Sequence, residues 1–238
     1  MPGVPKDDPS PRLRQRPPAV ESGASRRTVR PPRAPHDPEG EGPLRGSYEV
    51  NERCLEMLVS ATRHEQDRPF ALVSELRELL KSTVPATRQR AARRTFLLVD
   101  MEFANEDWWH AVRSYPSHQM RTPPWRGSFP RASGIPLARA TLLLAWNSLR
   151  ASPDQASVRL LLGMTPRVSE VITNLRFDEI DRIAQKRFRH VRPRWDDRPA
   201  VWRRLLLAAQ SDDEKLMGAF NLHGLQLLAG ELLADEER

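Results

Sequence analysis

The placement of proline constrains this chain more than any other feature. Eleven of its 22 prolines fall in the first 45 residues, and five more lie between positions 115 and 136. Proline lacks a backbone donor and clashes inside helices, so regular structure is confined to the stretch between these clusters and the stretch after them. Residues 1–45 also carry few large apolar side chains, in runs such as SRRTVRPPRAP and PEGEGP. Such a segment cannot bury enough surface to offset the entropy of ordering it, which predicts a disordered, basic, Pro/Arg-rich tail. It contains no apolar run of signal-peptide or membrane-span length. The expected organisation is therefore a tail at 1–45, a small helical N-terminal domain at 46–115, a Pro-rich linker at 116–136 and a second helical domain at 137–238.

Outside the proline clusters the apolar spacing is helical. Leu72, Val73, Leu76, Leu79 and Leu80 fall on one helical face. Ala92, Phe96, Val99 and Phe103 keep the same spacing through RRTFLLVDMEF, a run apolar enough that a strand stays open as the alternative. Asn105 ahead of Glu106 and Asp107 marks a helix start for EDWWHAV. In the second half a helix is expected over 137–150, LARATLLLAWNSLR. The next opens with Ser152 as cap and Pro153 in the first turn, and closes at Gly163. Thr165 precedes a third, and a further helix carries Phe177, Ile180, Ile183 and Ala184. VWRRLLLAAQ follows, and SDDE at 211–214 has the pattern of a capping box opening the last helix. The expected fold class is all-α.

Few residues suggest covalent chemistry. A single cysteine, Cys54, excludes an internal disulfide and a cysteine zinc site, and makes a cytoplasmic protein the default. His64 and Glu65 have no second histidine at the spacing that places two imidazoles on one helix face. Asp100 and Glu102 have the look of paired nuclease carboxylates but lack a following lysine, so a solvated helix face is expected. His110 and His118 are separated by a proline. No catalytic residue, metal site or cofactor is expected, and the chain does not read as an enzyme. Most of the six tryptophans read as buried anchors. Trp195, inside a basic run, is the exception.

That run is where the charge concentrates. The formal net charge is +7, and residues 182–204 hold nine Arg or Lys against two acids, Asp196 and Asp197. Clustered guanidinium groups suit phosphate, since each contact releases counterions and Arg donates through a planar fork. The competing reading is a charged junction between helices that pairs with the acidic C-terminal segment. Arg187, Arg189, Arg192, Arg194, Arg203 and Arg204 are the candidate DNA-binding residues.

The order of segments from 137 to 234 resembles the FlhD family. LLLAWNSLR is followed by VRLLLGMTPRVSEVITNLRFDEIDRIAQ, then RPRWDDRPAVWRRLL, then LMGAFNLHGLQLLAG. LLLG at 160–163 stands where the family has an RLG turn, LRFDEIDRIA at 175–184 where it has a leucine-alanine helix, and RPRWDD at 192–197 where it has R-F-R-F-D-D. Val191 occupies the place of a cysteine that often links the family's dimer, so no disulfide is implied. The resemblance implies an all-helical homodimer that binds promoter DNA with an FlhC-like partner and activates flagellar or conjugative-element genes. It also implies that the arginines contact phosphate on a surface shared between subunits, with a helix-turn-helix look at 165–187. The alternative is a helical adaptor of a secretion or conjugation apparatus that binds no nucleic acid. No membrane association is expected in either case.

Overall fold

In the computed structural model the described residues are 44, 46–63, 70–114, 127–211 and 213–236, and they are mostly helical. The first helix, α1 (Ser47–Arg63), buries Val50, Cys54, Leu55, Leu58 and Thr62 along one face. The leucine stripe predicted at 72–80 forms two short helices, α2 (Ala71–Glu75) and α3 (Arg77–Lys81). They are separated by Leu76, whose φ of −111° and ψ of 18° are not helical. The next helix, α4 (Pro85–Ala92), carries proline in its first turn, where no N–H is needed.

Residues 93–103 do not continue as a helix. Every residue from 96 to 103 is buried, so the segment has no solvent face for an amphipathic helix to present. A run apolar on both faces suits an extended core strand, and the strand alternative is realised as β1 (Val99–Asp100). Most of the buried backbone here has partners outside the ribbon. The Asn51 amide donates to the carbonyls of Ala92 (3.2 Å) and Phe96 (3.0 Å), and its oxygen accepts the Leu98 N–H at 2.7 Å. Leu97 N–H donates to the Leu161 carbonyl at 3.1 Å. A buried backbone group left unpaired would cost about as much as a lost hydrogen bond, so these contacts allow the segment to cross the core.

The chain then forms α5 (Glu106–Ser114), where the Asn105 side chain accepts the Trp108 N–H at 3.0 Å, as the sequence predicts. Next comes α6 (Arg131–Ala151), which starts inside the expected linker and contains Pro136. Just before it, Phe129 meets Phe70 edge-on at 4.9 Å between centroids, so the end of that linker is part of the core. Gly127, at φ 102°, allows this approach, because a Cβ there would lie 2.6 Å from the Phe70 backbone. Helix α7 (Gln155–Leu162) is capped by Asp154, not by Ser152; the Asp154 carboxylate accepts the Ser157 N–H at 3.0 Å. It ends at Gly163 in the left-handed region, φ 63° and ψ 50°, as predicted.

Thr165 caps α8 (Pro166–Thr173), and α9 (Phe177–Arg187) runs into a single 3-10 turn at Phe188–His190. Strand β2 (Arg192–Pro193) pairs antiparallel with β1, Val99 opposite Pro193 and Asp100 opposite Arg192. Helices α10 (Pro199–Gln210) and α11 (Glu214–Glu236) complete the fold. At the start of α11 the Asp213 carboxylate accepts the Lys215 N–H at 2.8 Å; position 212 of the predicted capping box lies outside the described residues.

The boundary expected at 116–136 does not separate two cores. Helix α1 packs on α6, α4 packs on α10, β1 pairs with β2, and the buried apolar residues of both halves form one cluster. Of the tail expected at 1–45 only residue 44 is described, and 116–126 of the linker lie outside the described residues.

Candidate functional site

The β1–β2 pair is the only place among the described residues where the two halves of the chain share backbone ladder bonds, and it brings the basic run against the acids of VDMEF. Because Asp100 lies opposite Arg192, its carboxylate takes Arg192 Nε at 3.2 Å, while Arg192 Nη1 reaches Asp196 at 2.9 Å. Arg194 enters the core, with a side chain only 5% exposed. Its Nε donates to the Leu97 carbonyl at 3.2 Å and its Nη2 to the Leu162 carbonyl at 2.6 Å. It also lies 3.6 Å from both Asp100 and Glu231. The close approach depends on Gly163, where a Cβ would sit 2.2 Å from the Arg194 guanidinium. Glu231 of α11 further accepts the Trp195 indole N–H at 2.7 Å, and Trp202 donates its own to the Arg194 carbonyl at 2.6 Å. Two residues beyond the ribbon, Glu102 meets His190 Nδ1 at 3.1 Å, with both side chains buried.

These contacts make a clasp. A guanidinium can donate five hydrogen bonds in a planar fork, and Arg194 uses that capacity to join the core segment, the end of α7 and α11. Glu102 and Trp195 each hold φ near 57°, the only non-glycine residues among those described that do so, and both belong to the clasp. A left-handed backbone at such residues costs about 1 kcal/mol or more, so it persists only where its surroundings determine it.

The carboxylates of the clasp differ in their acidity. Burial pushes Asp100 upward, but Arg194, Arg192 and the Phe103 N–H together outweigh it and hold its pKa below the ordinary value. Asp196 is raised: burial dominates, and Arg192 is the one cation that opposes it. For Arg192, burial is opposed by Asp100 and Asp196, and the net shift is upward, so it stays charged. A buried charge is tolerated when it is paired and hydrogen-bonded, and this cluster meets that condition.

Of the six arginines predicted to hold phosphate, the structure separates two groups. Arg194 is buried, which contradicts its assignment as a DNA contact: burying its charge among carbonyls and carboxylates leaves no face for phosphate. Arg192 is partly buried and engaged by Asp100 and Asp196. Arg187 is partly buried at the end of α9, where loss of solvent lowers its pKa. Arg189, Arg203 and Arg204 are exposed. Trp195, expected to be the exception to the buried tryptophans, is 3% exposed and belongs to the core. Asp100 and Glu102 are neither a solvated helix face nor a metal pair, since Arg192, Arg194 and His190 face them. Among the described residues no group of three or more His, Cys, Asp or Glu side chains could hold a metal ion.

The helix-turn-helix look at 165–187 resolves into α8 and α9, both packed on α6. The first turn of α9 carries Asp178 and Glu179, whereas a recognition helix reads bases with its N-terminal residues; carboxylates there would meet phosphate unfavourably. Cys54 is fully buried, and burial pushes its thiol pKa up, away from nucleophilic use. His110 is exposed, and His64, Glu65 and His118 lie outside the described residues. Among the described residues no helix is long and apolar enough to cross a membrane.

Two residues that hold the core segment and the clasp in place had a sequence signal that charge counting passes over. Asn51 lies on the apolar stripe of α1 between Val50 and Cys54, and Glu231 continues the buried series Met217, Phe220, Gly224, Leu228 along α11. A polar residue on an apolar face marks a buried partner. An open cleft of about 540 Å³ lies between the clasp and α11, with Arg192, Trp195 and Arg198 on one wall and Gln226, Leu227 and Gly230 on the other. No family model, no curated protein and no solved structure matches the chain.

Proposed function

We propose that this chain is a non-enzymatic, nucleic-acid-binding regulatory subunit of the kind the FlhD resemblance implies, gripping the phosphate backbone through surface arginines of α10 and of the turn after α9. The observation that carries the reading is the division of charge. The clasp sets Arg192 and Arg194 against four carboxylates, Asp100, Glu102, Asp196 and Glu231, so the remainder of the chain holds all of the +7 excess and more. Helix α10 buries Val201, Trp202, Leu205 and Leu206 and turns Arg203 and Arg204 outward, where among the described residues neither makes an ion pair. Arg189 is exposed over the Phe188 ring. Exposed, unpaired guanidinium groups are the ones that displace counterions from a duplex. The partly buried Arg187 sits at the edge of this surface, and Arg192 and Arg194 act as scaffold.

Binding of the full chain to a non-specific DNA duplex, followed by fluorescence anisotropy across a salt series, tests this. The log–log salt slope should fall by about 0.9 for each phosphate contact removed, hence by roughly two units for Arg203→Ala with Arg204→Ala. An unchanged slope, or no binding to duplex at low salt, would overturn the reading.

A second reading, the helical adaptor without nucleic acid, is favoured by one specific feature. Glu231, in the acidic C-terminal segment, is paired with Arg194 of the same chain, as a charged junction between helices requires. A native partner that stays bound after nuclease treatment, with no enriched DNA, would support it.

A further inference from the structure

Helix α11 has two faces of opposite fate. Met217, Phe220, Gly224 and Leu228 pack inward, and Glu231 continues that line to the clasp. Gly224 lets the helix approach closely, because a Cβ there would fall 2.2 Å from the Phe96 ring. On the opposite side Lys215, Gly218, Leu222, Gln226 and Leu233 are exposed and Ala229 is half-buried. They recur at three- and four-residue steps, the spacing of one helix face. Leu222 and Leu233 are 60% and 61% exposed, and a Cβ on Gly218 would meet nothing within 4 Å. From 218 to 233 the helix carries one formally charged residue, Glu231, and that one faces inward.

We propose that this outer face of α11 pairs with the same face of a second copy of the chain, antiparallel about a two-fold axis near Leu225 and Gln226. The size pattern selects the occupant and the direction. In the antiparallel register Leu222 lies opposite Ala229 of the other copy, and Leu233 lies opposite Gly218, so each exposed leucine meets a small residue at both ends of the axis. Lys215 is then level with position 236, in the last turn of the other helix, where the sequence is acidic. A parallel pair sets leucine against leucine, glycine against glycine and Lys215 against itself. An isologous, two-fold contact of this kind is the commonest mode of self-association. The 23 residues of α11 span about 35 Å. A single helix face of that length lies below the usual interface range of about 1,200–2,000 Å², so the dimer is weak and concentration-dependent. The pairing does not depend on whether the chain binds nucleic acid.

Sedimentation velocity of the full chain from about 1 µM to several hundred µM tests it. A reversible monomer–dimer equilibrium is expected, with Leu222→Glu weakening association at least tenfold while the far-ultraviolet spectrum and unfolding midpoint stay unchanged. A monomer throughout the range, or a dimer that Leu222→Glu leaves intact, would overturn the proposal. Direction is read separately by disulfide trapping, since the single native cysteine, Cys54, is buried. A mixture of Leu222→Cys and Ala229→Cys chains should cross-link to each other, and neither should cross-link to itself. Efficient trapping of Leu222→Cys alone would rule out the antiparallel register.

Discussion

Arg194 and Arg204 lie ten positions apart in one basic run, yet they occupy opposite environments. Arg194 follows a two-residue strand that carries it into the core beside Asp100, Glu231 and two backbone carbonyls. Arg204 rides on an amphipathic helix whose apolar positions are Val201, Trp202, Leu205 and Leu206, so the helical period turns it to solvent. Charge density along a sequence does not report charge density on a surface. Which of the two an arginine joins is set by the backbone beneath it and by whether a distant segment supplies the matching acids.

The largest expected effect lies on the buried side of this comparison. Arg194→Met removes the cation shared by Asp100 and Glu231 and leaves carboxylates buried without it. Equilibrium urea unfolding should show a loss of about 3–5 kcal/mol.

Asp100→Asn comes next, with a loss of about 3 kcal/mol near neutral pH, because it leaves Arg192 and Arg194 short of a buried counter-charge. The Asp100 pKa is lowered in the folded chain. Its stabilisation is therefore fully present above the unfolded carboxyl value, about 3.9, and is lost as pH falls through the lower folded value. The gap between wild type and variant, measured by thermal melts across pH, should narrow below about pH 4.

Asp196→Asn sharpens the contrast within the clasp. The folded pKa of Asp196 is raised, so ionising it opposes folding as pH rises from the unfolded value through the folded one. Its replacement should change stability by no more than about 1 kcal/mol, since Arg192 keeps Asp100 and the remaining amide can still accept. A loss as large as that of Asp100→Asn would show that the two acids are equivalent after all.

Much of the helical architecture was legible before the structure. Amphipathic spacing, the Gly163 stop and the Asn105 and Thr165 caps are local signals, and local signals survive folding. What the sequence concealed was long-range. The strand at Val99–Asp100 shares its apolar spacing with a helix and is decided by partners about 50 and 90 positions away, Asn51 and Arg192–Pro193. The expected domain boundary failed for the same reason: proline marks where helices cannot run, but not whether Phe129 beyond it packs on Phe70. At the site, the Asp100–Glu102 pair and the basic run were each singled out, and their pairing with one another was not. Linear spacing places residues on a face; it does not say which face meets which.

The most direct test of the account is a matched pair of urea unfolding curves on the full chain, for Arg194→Met and for Arg203→Ala with Arg204→Ala. The account predicts that the first variant loses several kcal/mol and that the second keeps the wild-type midpoint. If Arg194→Met unfolds at the wild-type midpoint, the basic run is not a clasp and the division of charge proposed here is wrong.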